Sequence, residues 1–488
     1  MDIIADVLQF IANNVFSEVP ILIGLITVVG LLLQRAPAEE TVAGAIRAAL
    51  GVIILFVGVD VFVEGLEAFQ TIVGSAVGLD PPEASNTLGD FLGTHGGSIA
   101  LIIALGFLIH LVVVRLLNTR YVYLTGHLLF WIAVVTAASL VEIFGDVDRW
   151  TLVVSGSVVV ALYWTLQPLV LAPMMRRVIN SDDWGFGHTS SLACWLAGAL
   201  GKPLGTKEEH DTEKLHVPKR LSFFKDVNVS TALVITVIIL IAAAFADQAV
   251  LAEQAAGYNE DINPWVWALI AGLRFAAGIA ILLFGVRMFL AEIVPAFKGI
   301  SERLIPGSRP ALDAPTVFPF APTAVMIGFV SSTIVFLIFM GIFAAAGWFV
   351  LVPPMIMLFF PGAAAAIFGN AIAGWRGAVL GGAINGVFLA IGQAVTWGML
   401  SDTAPELATL ADPDWYVIAW LVLGIGALFS GMGAAGIWMV PVVVIVIFAV
   451  WYALARRRVQ VPEGAIAGDS PFGRPDTTAP QQRDETEV

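Results

Sequence analysis

One aspartate carries the strongest signal for binding chemistry in this sequence. Asp313 follows a Gly/Pro-rich segment, lies between Pro310 and Pro315, and precedes a long apolar run. An ionisable residue inside a membrane is costly and tends to be functional, and a carboxylate accepts hydrogen bonds from hydroxyl groups. The alternative is a solvated aspartate in a polar loop. We predict that Asp313 binds a substrate.

Two histidines each stand at the start of an apolar segment. His127 ends the motif LTGH, where its imidazole either contacts a polar substrate or caps the following helix. His188 lies in the motif GFGHTSS, whose Thr189 and Ser190 are favourable residues at a helix N-terminus. The N-terminus of a short buried helix offers free N–H groups to an anion. For each histidine a structural role remains open.

No pattern in the sequence is typical of covalent or metal catalysis. A P-loop, an H-E-x-x-H motif and a G-x-S-x-G motif are all absent, and the histidines lack metal-ligand spacing. The single cysteine, Cys194, lies in an apolar run, so no intrachain disulfide can form. We therefore expect no catalytic residue, no metal site and no cofactor.

The composition is that of a protein embedded in a lipid bilayer. Of its 488 residues, 58% are hydrophobic and only 13% are charged. Many apolar runs are long enough to cross the hydrocarbon core, which is about 30 Å thick. The net charge of −14 argues against binding nucleic acid. The predicted fold class is an all-α polytopic protein of the cell (inner or cytoplasmic) membrane.

The segment that contains Asp313 is one copy of an internal repeat. Residues 274–316 align with residues 47–87, and eight of the first twenty aligned positions are identical. The first copy has no lysine or arginine after Arg47 until Arg115, whereas the second carries several basic residues in its later part. Basic residues favour the cytoplasmic side. The two copies are therefore predicted to have opposite orientations, as in transporters built from inverted repeats.

About eleven transmembrane helices follow from the apolar runs, arranged as five, five inverted and one more. They are predicted near 10–33, 44–66, 97–116, 122–144, 150–174, 229–250, 265–290, 322–347, 350–372, 377–399 and within 416–455, where Gly431 to Gly436 can interrupt the helix. The apolar segment 188–200 is too short to cross. The Gly/Pro-rich segments after the second and seventh helices are candidate re-entrant hairpins, since irregular backbone at membrane depth survives only inside protein or along a cavity.

The predicted organisation is a transport domain over residues 1–455 and a disordered cytoplasmic tail over 456–488. Within the domain we place the first repeat at about 1–200, a cytoplasmic loop at 201–227, the second repeat at about 228–400, and the last helix within 416–455. Five of the six lysines lie in the 201–227 loop, and three arginines end the last helix. These charges predict an external N-terminus and a cytoplasmic C-terminus.

Several motifs together resemble a known family. They are TGH at 125–127, GFGH at 185–188, GVRMF at 285–289, and KGISERLIPG at 298–307 followed by Asp313 and FAP at 320–322. The chain resembles the L-ascorbate-specific EIIC membrane component of the bacterial phosphoenolpyruvate-dependent sugar phosphotransferase system. The resemblance implies a homodimer with eleven helices per chain, a V-shaped dimerising motif, and a mobile core that contains both hairpins and moves as an elevator.

The resemblance also implies where the substrate binds. The corresponding positions are the first hairpin tip, the stretch that begins at the TGH histidine, the residues of the second histidine motif, and the aspartate of the second hairpin. In this sequence they are Asn86, Thr87, His127, Leu128, Leu129, Phe130, Trp131, His188, Thr189, Ser190 and Asp313. The family typically has glutamine where this chain has Trp131, Thr189 and Ser190, and this difference removes amide donors and acceptors.

The resulting functional expectation is a permease subunit that binds L-ascorbate or a related sugar acid outside. A separate EIIB, charged by EIIA, then phosphorylates the substrate during uptake, and the chain is not an enzyme by itself. The alternative is an ion-coupled secondary transporter of an anionic sugar acid that works without phosphorylation.

Overall fold

The fold was analysed in a computed structural model that describes residues 19–458, except 81, 146, 182–183, 216–226 and 306. Most of these residues are helical. In the first half the helices are α1 (Val19–Leu33), α2 (Ala38–Val77), α3 (Leu88–Leu117), α4 (Gly126–Phe144), α5 (Arg149–Ile179), α6 (Ser191–Gly201) and α7 (Lys207–His210). In the second half they are α8 (Val227–Ala243), α9 (Gln248–Tyr258), α10 (Pro264–Leu304), α11 (Pro322–Ala345), α12 (Met355–Met399), α13 (Leu407–Leu410), α14 (Pro413–Phe429) and α15 (Met439–Arg458).

The lengths and apolar character of these helices confirm a multi-pass membrane protein. Within the described ranges, eight helical stretches are long and apolar enough to cross a bilayer. Two of them are interrupted by a glycine with positive φ: Gly374 (φ 64°) divides α12, and Gly433 (φ 59°) separates α14 from α15. The second break falls within the predicted 431–436 segment. The total of eleven crossings stays a prediction.

Helix α12 folds back on itself at its break. A Cβ atom on Gly369 would lie 2.0 Å from the carbonyl oxygen of Gly377, and one on Gly381 would lie 2.3 Å from the carbonyl oxygen of Ala365. Positions before Gly374 thus lie directly against positions after it, in reverse order. The two arms correspond to the helices predicted at 350–372 and 377–399.

The structure bears on three segment boundaries that were predicted from the sequence. The third helix begins at Leu88, directly after the first repeat copy ends, rather than near 97, because the side-chain oxygen of Thr87 accepts the amide of Asp90 and caps it there. The short apolar segment 188–200 is indeed one short helix, α6. Residues 1–18, most of the predicted tail and part of the 201–227 loop lie outside the described residues.

Helices α2 and α10, which carry the two repeat copies, pack against each other in opposite directions. A Cβ on Gly58 would lie 2.2 Å from the amide nitrogen of Leu282, and one on Gly285 would lie 2.3 Å from that of Leu55. The alignment pairs Gly58 with Gly285 and Leu55 with Leu282. Equivalent residues of the two copies therefore make equivalent contacts, and the glycines let the backbones approach closely.

Two ion pairs obey the same equivalence. Arg47 pairs with Glu292, with 2.5 Å between Nε and Oε1, and Arg274 pairs with Glu64. Arg47 aligns with Arg274, and Glu64 aligns with the residue directly before Glu292. The repeat found in the sequence is thus expressed in the packing and charge pairing of these two helices.

The prediction of an all-α fold is incomplete, because the structure also contains a small parallel β-sheet. Its strands are β1 (Tyr121–Tyr123), β2 (Gly185–Phe186) and β3 (Arg309–Leu312), and β3 lies in the centre. The sheet continues one residue further on each side, since Leu124 N donates to Ala311 O (3.2 Å) and Gly187 N donates to Leu312 O (2.7 Å). A Cβ on Gly187 would lie 2.7 Å from the Ala311 carbonyl oxygen, so this position requires glycine.

Candidate functional site

The carboxyl ends of the three strands bring the predicted binding residues together. Asp313 directly follows β3, while His127 and His188 lie just after β1 and β2. Strands that run in parallel have their carboxyl ends at one edge of the sheet. There Asp313 lies between the two imidazoles, with Oδ2 3.8 Å from His127 Nε2 and Oδ1 3.7 Å from His188 Nε2. Residues far apart in sequence thus form one site.

A buried histidine that the sequence analysis missed holds β1 in place. His110 Nε2 accepts the backbone N–H of Tyr123 (3.1 Å). Since Nε2 accepts, a neutral ring carries its proton on Nδ1, which lies 2.8 Å from the Thr165 hydroxyl oxygen. The Thr165 hydroxyl in turn donates to the Ala161 carbonyl oxygen (2.8 Å). The orientation of β1, and with it His127, is therefore fixed by helices α3 and α5.

The N-terminus of α6 is already occupied by a carboxylate. Asp414 accepts the backbone N–H groups of Ser191 (3.2 Å) and Leu192 (2.9 Å), together with the Ser191 hydroxyl. It also accepts the Tyr163 hydroxyl (2.7 Å). The expectation that these amides hold an anionic substrate is wrong, because a residue of the protein itself supplies the anion that the helix terminus favours.

Thr189 and Ser190 turn their hydroxyls towards protein groups. Thr189 donates to Asp412, and the Ser190 amide donates to His188 Nδ1 (3.2 Å). Because Nδ1 accepts, neutral His188 carries its proton on Nε2, the nitrogen that faces Asp313. Both Thr189 and Ser190 are fully buried. Their hydrogen bonds hold the side chains of Asp412 and His188, which line the cavity.

Burial changes the protonation of two groups here. It lowers the pKa of His188 to about 4, an effect that the nearby Asp313 carboxylate only partly offsets. It also raises the pKa of Asp412 to about 7, although the hydrogen bond from Thr189 acts in the opposite direction. At neutral pH His188 is therefore an uncharged N–H donor rather than a cation.

A cavity of about 210 Å³ opens at this edge of the sheet. Its polar lining consists of His127, His188, Arg287, Asp313 and Asp412. The apolar lining is formed by Leu128, Trp131, Ile279, Leu282, Leu283, Val286, Pro315, Ile356, Met357, Phe360, Pro361, Leu410 and Trp415. A small apolar cavity with a few convergent polar groups is the form of a small-molecule site. We call it the central cavity.

Aromatic rings form one wall of the central cavity. Trp131 stacks on Trp415, with 5.5 Å between ring centroids and 29° between planes. The indole N–H of Trp415 is buried and has no hydrogen-bond partner among the described residues. Where the family typically has a glutamine, this chain thus presents an indole face. A substrate ring that bears oxygen atoms can pack against the flat indole face and accept a hydrogen bond from the unpaired indole N–H.

The remaining predicted site residues divide into two groups. Leu129 and Phe130 are buried beside the central cavity without lining it, and Phe130 packs edge-on against Phe289. Asn86 and Thr87 line a different, larger cavity of about 960 Å³, which we call the acidic cavity. Its carboxylates are Glu64, Glu67, Asp90, Glu253 and Glu406. Five of the eleven predicted residues therefore line the central cavity: His127, Leu128, Trp131, His188 and Asp313.

Sequence reasoning missed the sequence DPDW at 412–415. Both aspartates and the tryptophan are buried, Asp412 and Trp415 line the central cavity, and Asp414 binds α6. The available signal was the one used for Asp313, namely carboxylates beside a proline at the start of an apolar run. In the described ranges no group of three or more His, Cys, Asp or Glu side chains is placed to hold a metal ion.

The fold and site define a multi-pass membrane protein with a small, mostly apolar cavity among its helices, into which a few polar groups converge. Comparison with protein families then identifies it further: residues 14–414 match the EIIC-GAT family, described as the PTS system sugar-specific permease component. The chain belongs to this family, which confirms the resemblance drawn from its motifs.

One curated relative is the "Ascorbate-specific PTS system EIIC component" of Mycoplasma pneumoniae. It is 27% identical to this chain over 417 residues, which are 75% of this chain and 63% of the relative. The chain thus aligns with less than two thirds of the relative's own length.

Proposed function

We propose that this chain is the membrane permease subunit of a phosphotransferase system and takes up L-ascorbate or a related sugar acid. The substrate binds from outside, reaches the central cavity, and is presented inward to a separate EIIB, which EIIA has charged. The chain then carries no phosphoryl group itself. Family membership and the name of the curated relative support the class of function.

The observation that carries the proposal is the position of Asp313 between two imidazoles in the central cavity. Its carboxylate accepts the Ala314 amide (2.7 Å) and is 34% exposed, so further acceptor capacity is available to substrate hydroxyls. His188 Nε2–H offers a donor next to it. The cavity volume of about 210 Å³ lies below the range of about 300–1,000 Å³ for pockets that hold drug-sized ligands, as a sugar acid requires.

The same proposal includes an inverted-repeat architecture. The equivalent contacts across α2 and α10 support two halves of opposite orientation. On the family resemblance we extend this to eleven crossings, two re-entrant hairpins, a V-shaped motif, a core that moves as an elevator, and a homodimer. The N-terminus is proposed to lie outside and the C-terminus in the cytoplasm.

An ion-coupled secondary transporter is the second candidate. The observation in its favour is the acidic cavity, whose carboxylates attract cations and include the buried Glu406. Burial raises the pKa of Glu406 to about 7, so this group can exchange a proton near neutral pH.

Uptake into cells or vesicles decides between the two candidates. Labelled L-ascorbate is offered with and without phosphoenolpyruvate and the soluble phosphotransferase components, and the internal product is analysed. We expect uptake that requires phosphoenolpyruvate and an internal product that is phosphorylated. Accumulation of unmodified substrate driven by a sodium or proton gradient would instead establish the secondary transporter.

A further inference from the structure

The central cavity presents a charge problem for the ligand proposed above. A sugar acid is an anion at neutral pH, yet Asp313 and Asp412 line the cavity. Because burial raises the pKa of Asp412 to about 7, this second carboxyl group is still partly charged at neutral pH. Like charges that share one small cavity repel each other strongly in a low-dielectric interior. A cavity built for an anion therefore needs a source of positive charge or free N–H groups that outweighs these carboxylates.

Two apparent sources do not supply it. The N-terminal amides of α6 donate to Asp414 and are not available. His188 is buried, and its pKa of about 4 leaves it uncharged at neutral pH. It contributes one N–H donor and no net charge.

The Trp415 indole N–H and the His188 Nε2–H are neutral donors, and His127 lies 3.8 Å from the Asp313 carboxylate. Arg287 is the candidate that carries a permanent positive charge. Among the described residues that line the cavity it is the one lysine or arginine, and within the same part of the chain no ion-pair or hydrogen-bond partner is found for its guanidinium. Residues four apart on a helix share one face. Ile279, Leu283 and Arg287 follow that spacing on α10, and all three line the cavity, so the helix presents Arg287 along its cavity-facing stripe.

The internal repeat shows that this charge is not a general feature of the two copies. The alignment places Asp60 of α2 opposite Arg287 of α10, within the shared Gly-Val-x-x-Phe pattern. The surrounding glycine and phenylalanine are kept in both copies for packing, but the charged position has opposite sign. At this position a guanidinium appears only in the copy whose helix lines the central cavity.

We propose that Arg287 binds the anionic group of the substrate and makes the central cavity selective for sugar acids over neutral sugars and lactones. This inference rests on the proposed function. A guanidinium provides a planar pair of N–H donors that matches two neighbouring oxygens of a carboxylate or enolate. Arg287 and Asp313 then divide the recognition, with Arg287 taking the charged edge of the ligand and Asp313 its hydroxyls.

Calorimetry on the purified full-length protein tests the proposal with two probes of similar shape. L-Ascorbate is the anionic probe, and L-gulono-1,4-lactone is the neutral one. The variants are Arg287→Gln, which removes the charge, and Arg287→Lys, which keeps the charge but loses the planar fork. Arg115→Gln is the matched control, since Arg115 is an exposed arginine on membrane helix α3 that does not line the central cavity.

Arg287→Gln should weaken ascorbate binding by about ten- to a hundred-fold, the range for losing a hydrogen bond to a charged group. Binding of the lactone should change by less than about three-fold, because no charged contact is lost. Arg287→Lys should lose ascorbate affinity to an intermediate degree, and Arg115→Gln should match the parent protein. If Arg287→Gln fails to assemble, the comparison of Arg287→Lys with both probes decides.

Two results would overturn the proposal separately from the proposed function. If the parent binds ascorbate and Arg287→Gln binds it equally well, the anion is recognised elsewhere. Equal losses for ascorbate and lactone would mean that Arg287 shapes the cavity without reading charge. If the parent protein itself does not bind ascorbate, the sugar-acid function fails, and the role of Arg287 fails with it.

Discussion

The role proposed for Asp313 depends on its neighbours rather than on its own loop alone. Asp313 directly follows the central strand, β3. His127 and His188, which lie near its carboxylate, follow the two neighbouring strands, β1 and β2. One imidazole is buried and the other is partly exposed. The Asp313 carboxylate is partly exposed and lines the central cavity. If its oxygens are removed, a substrate hydroxyl bound there loses its hydrogen-bond acceptor.

Asp313→Ala should weaken L-ascorbate binding by about ten- to a hundred-fold, because unpaired buried polar groups cost about 1–3 kcal/mol each. Asp313→Asn keeps the size and part of the acceptor capacity and should lose less. Calorimetry on assembled protein measures both. Asp261→Ala is the control, since Asp261 is exposed in the connection between α9 and α10. An Asp313→Ala protein that binds like the parent would move the site away from the sheet edge.

At the residue level the sequence singled out residues that lie together in the structure, but not the partners that hold them. Asp313, His127 and His188 were identifiable because each belongs to a short motif beside an apolar run. The link between Asp414 and α6 was not, since it joins residues separated by more than 220 positions. No local pattern shows which carboxylate will bind the N–H groups at a helix N-terminus. The sequence therefore suggested a substrate anion at the N-terminus of α6, where the structure has Asp414.

Helices α2 and α10 form the element on which the repeat is most clearly visible. Their glycines are spaced seven residues apart in each copy, at Gly51 and Gly58 and at Gly278 and Gly285. Backbone atoms of the opposite helix occupy the space that a side chain would need. In a bilayer, where apolar contact with lipid competes with apolar contact between helices, such close approach is a main source of helix association.

Gly58→Ala and Gly285→Ala should each destabilise the protein by about 1–3 kcal/mol, the usual cost of forcing atoms into a packed interface. The two losses should be similar, because the contacts are equivalent. Gly93→Ala is the matched control: Gly93 lies on α3, and nothing would lie within 4 Å of its Cβ. Thermal unfolding in detergent measures all three. Equal midpoints for Gly58→Ala and Gly93→Ala would contradict close packing at α2 and α10.

The β-sheet marks the limit of element prediction from this sequence. Strands of two to four residues lie at or below the lower end of the range of four to eight residues over which alternation can be recognised. Their pairing partners are distant in the chain, and the motifs that follow them looked like separate loops. The long apolar helices, the boundary between the two arms of α12 and the glycine break after α14 were predicted, since run length and, at the last site, local glycine content determine them.

At the scale of the molecule two cavities lie on either side of one connecting segment. Glu406 lines the acidic cavity and accepts the Leu88 amide (2.9 Å), while Leu410 and Asp412, one turn or so further on, line the central cavity. The short helix α13 thus separates them. Asn86 and Thr87, which the family resemblance assigns to substrate, lie on the other side of this segment from Asp313. In the structure these two residues therefore do not line the cavity that contains Asp313.

The orientation of the two halves can be tested directly on the whole protein. The first-copy loop carries carboxylates and no basic residue, whereas lysine and arginine flank the second-copy loop. Because basic residues favour the cytoplasmic side, Ser85 should be reached from outside and Ser308 from inside. Ser85 is exposed and Ser308 is partly exposed, and cysteine replaces serine with little change of size. Cys194 is buried and is replaced by alanine to remove background.

The measurement is labelling of intact cells with a membrane-impermeant thiol reagent, before and after permeabilisation. In the Cys194→Ala background, Ser85→Cys should react in intact cells, and Ser308→Cys should react only after permeabilisation. The Cys194→Ala protein alone should remain unlabelled in both conditions, which controls for background. Reaction of both cysteines from the same side would contradict the inverted repeat, because the two copies would then have the same orientation in the membrane.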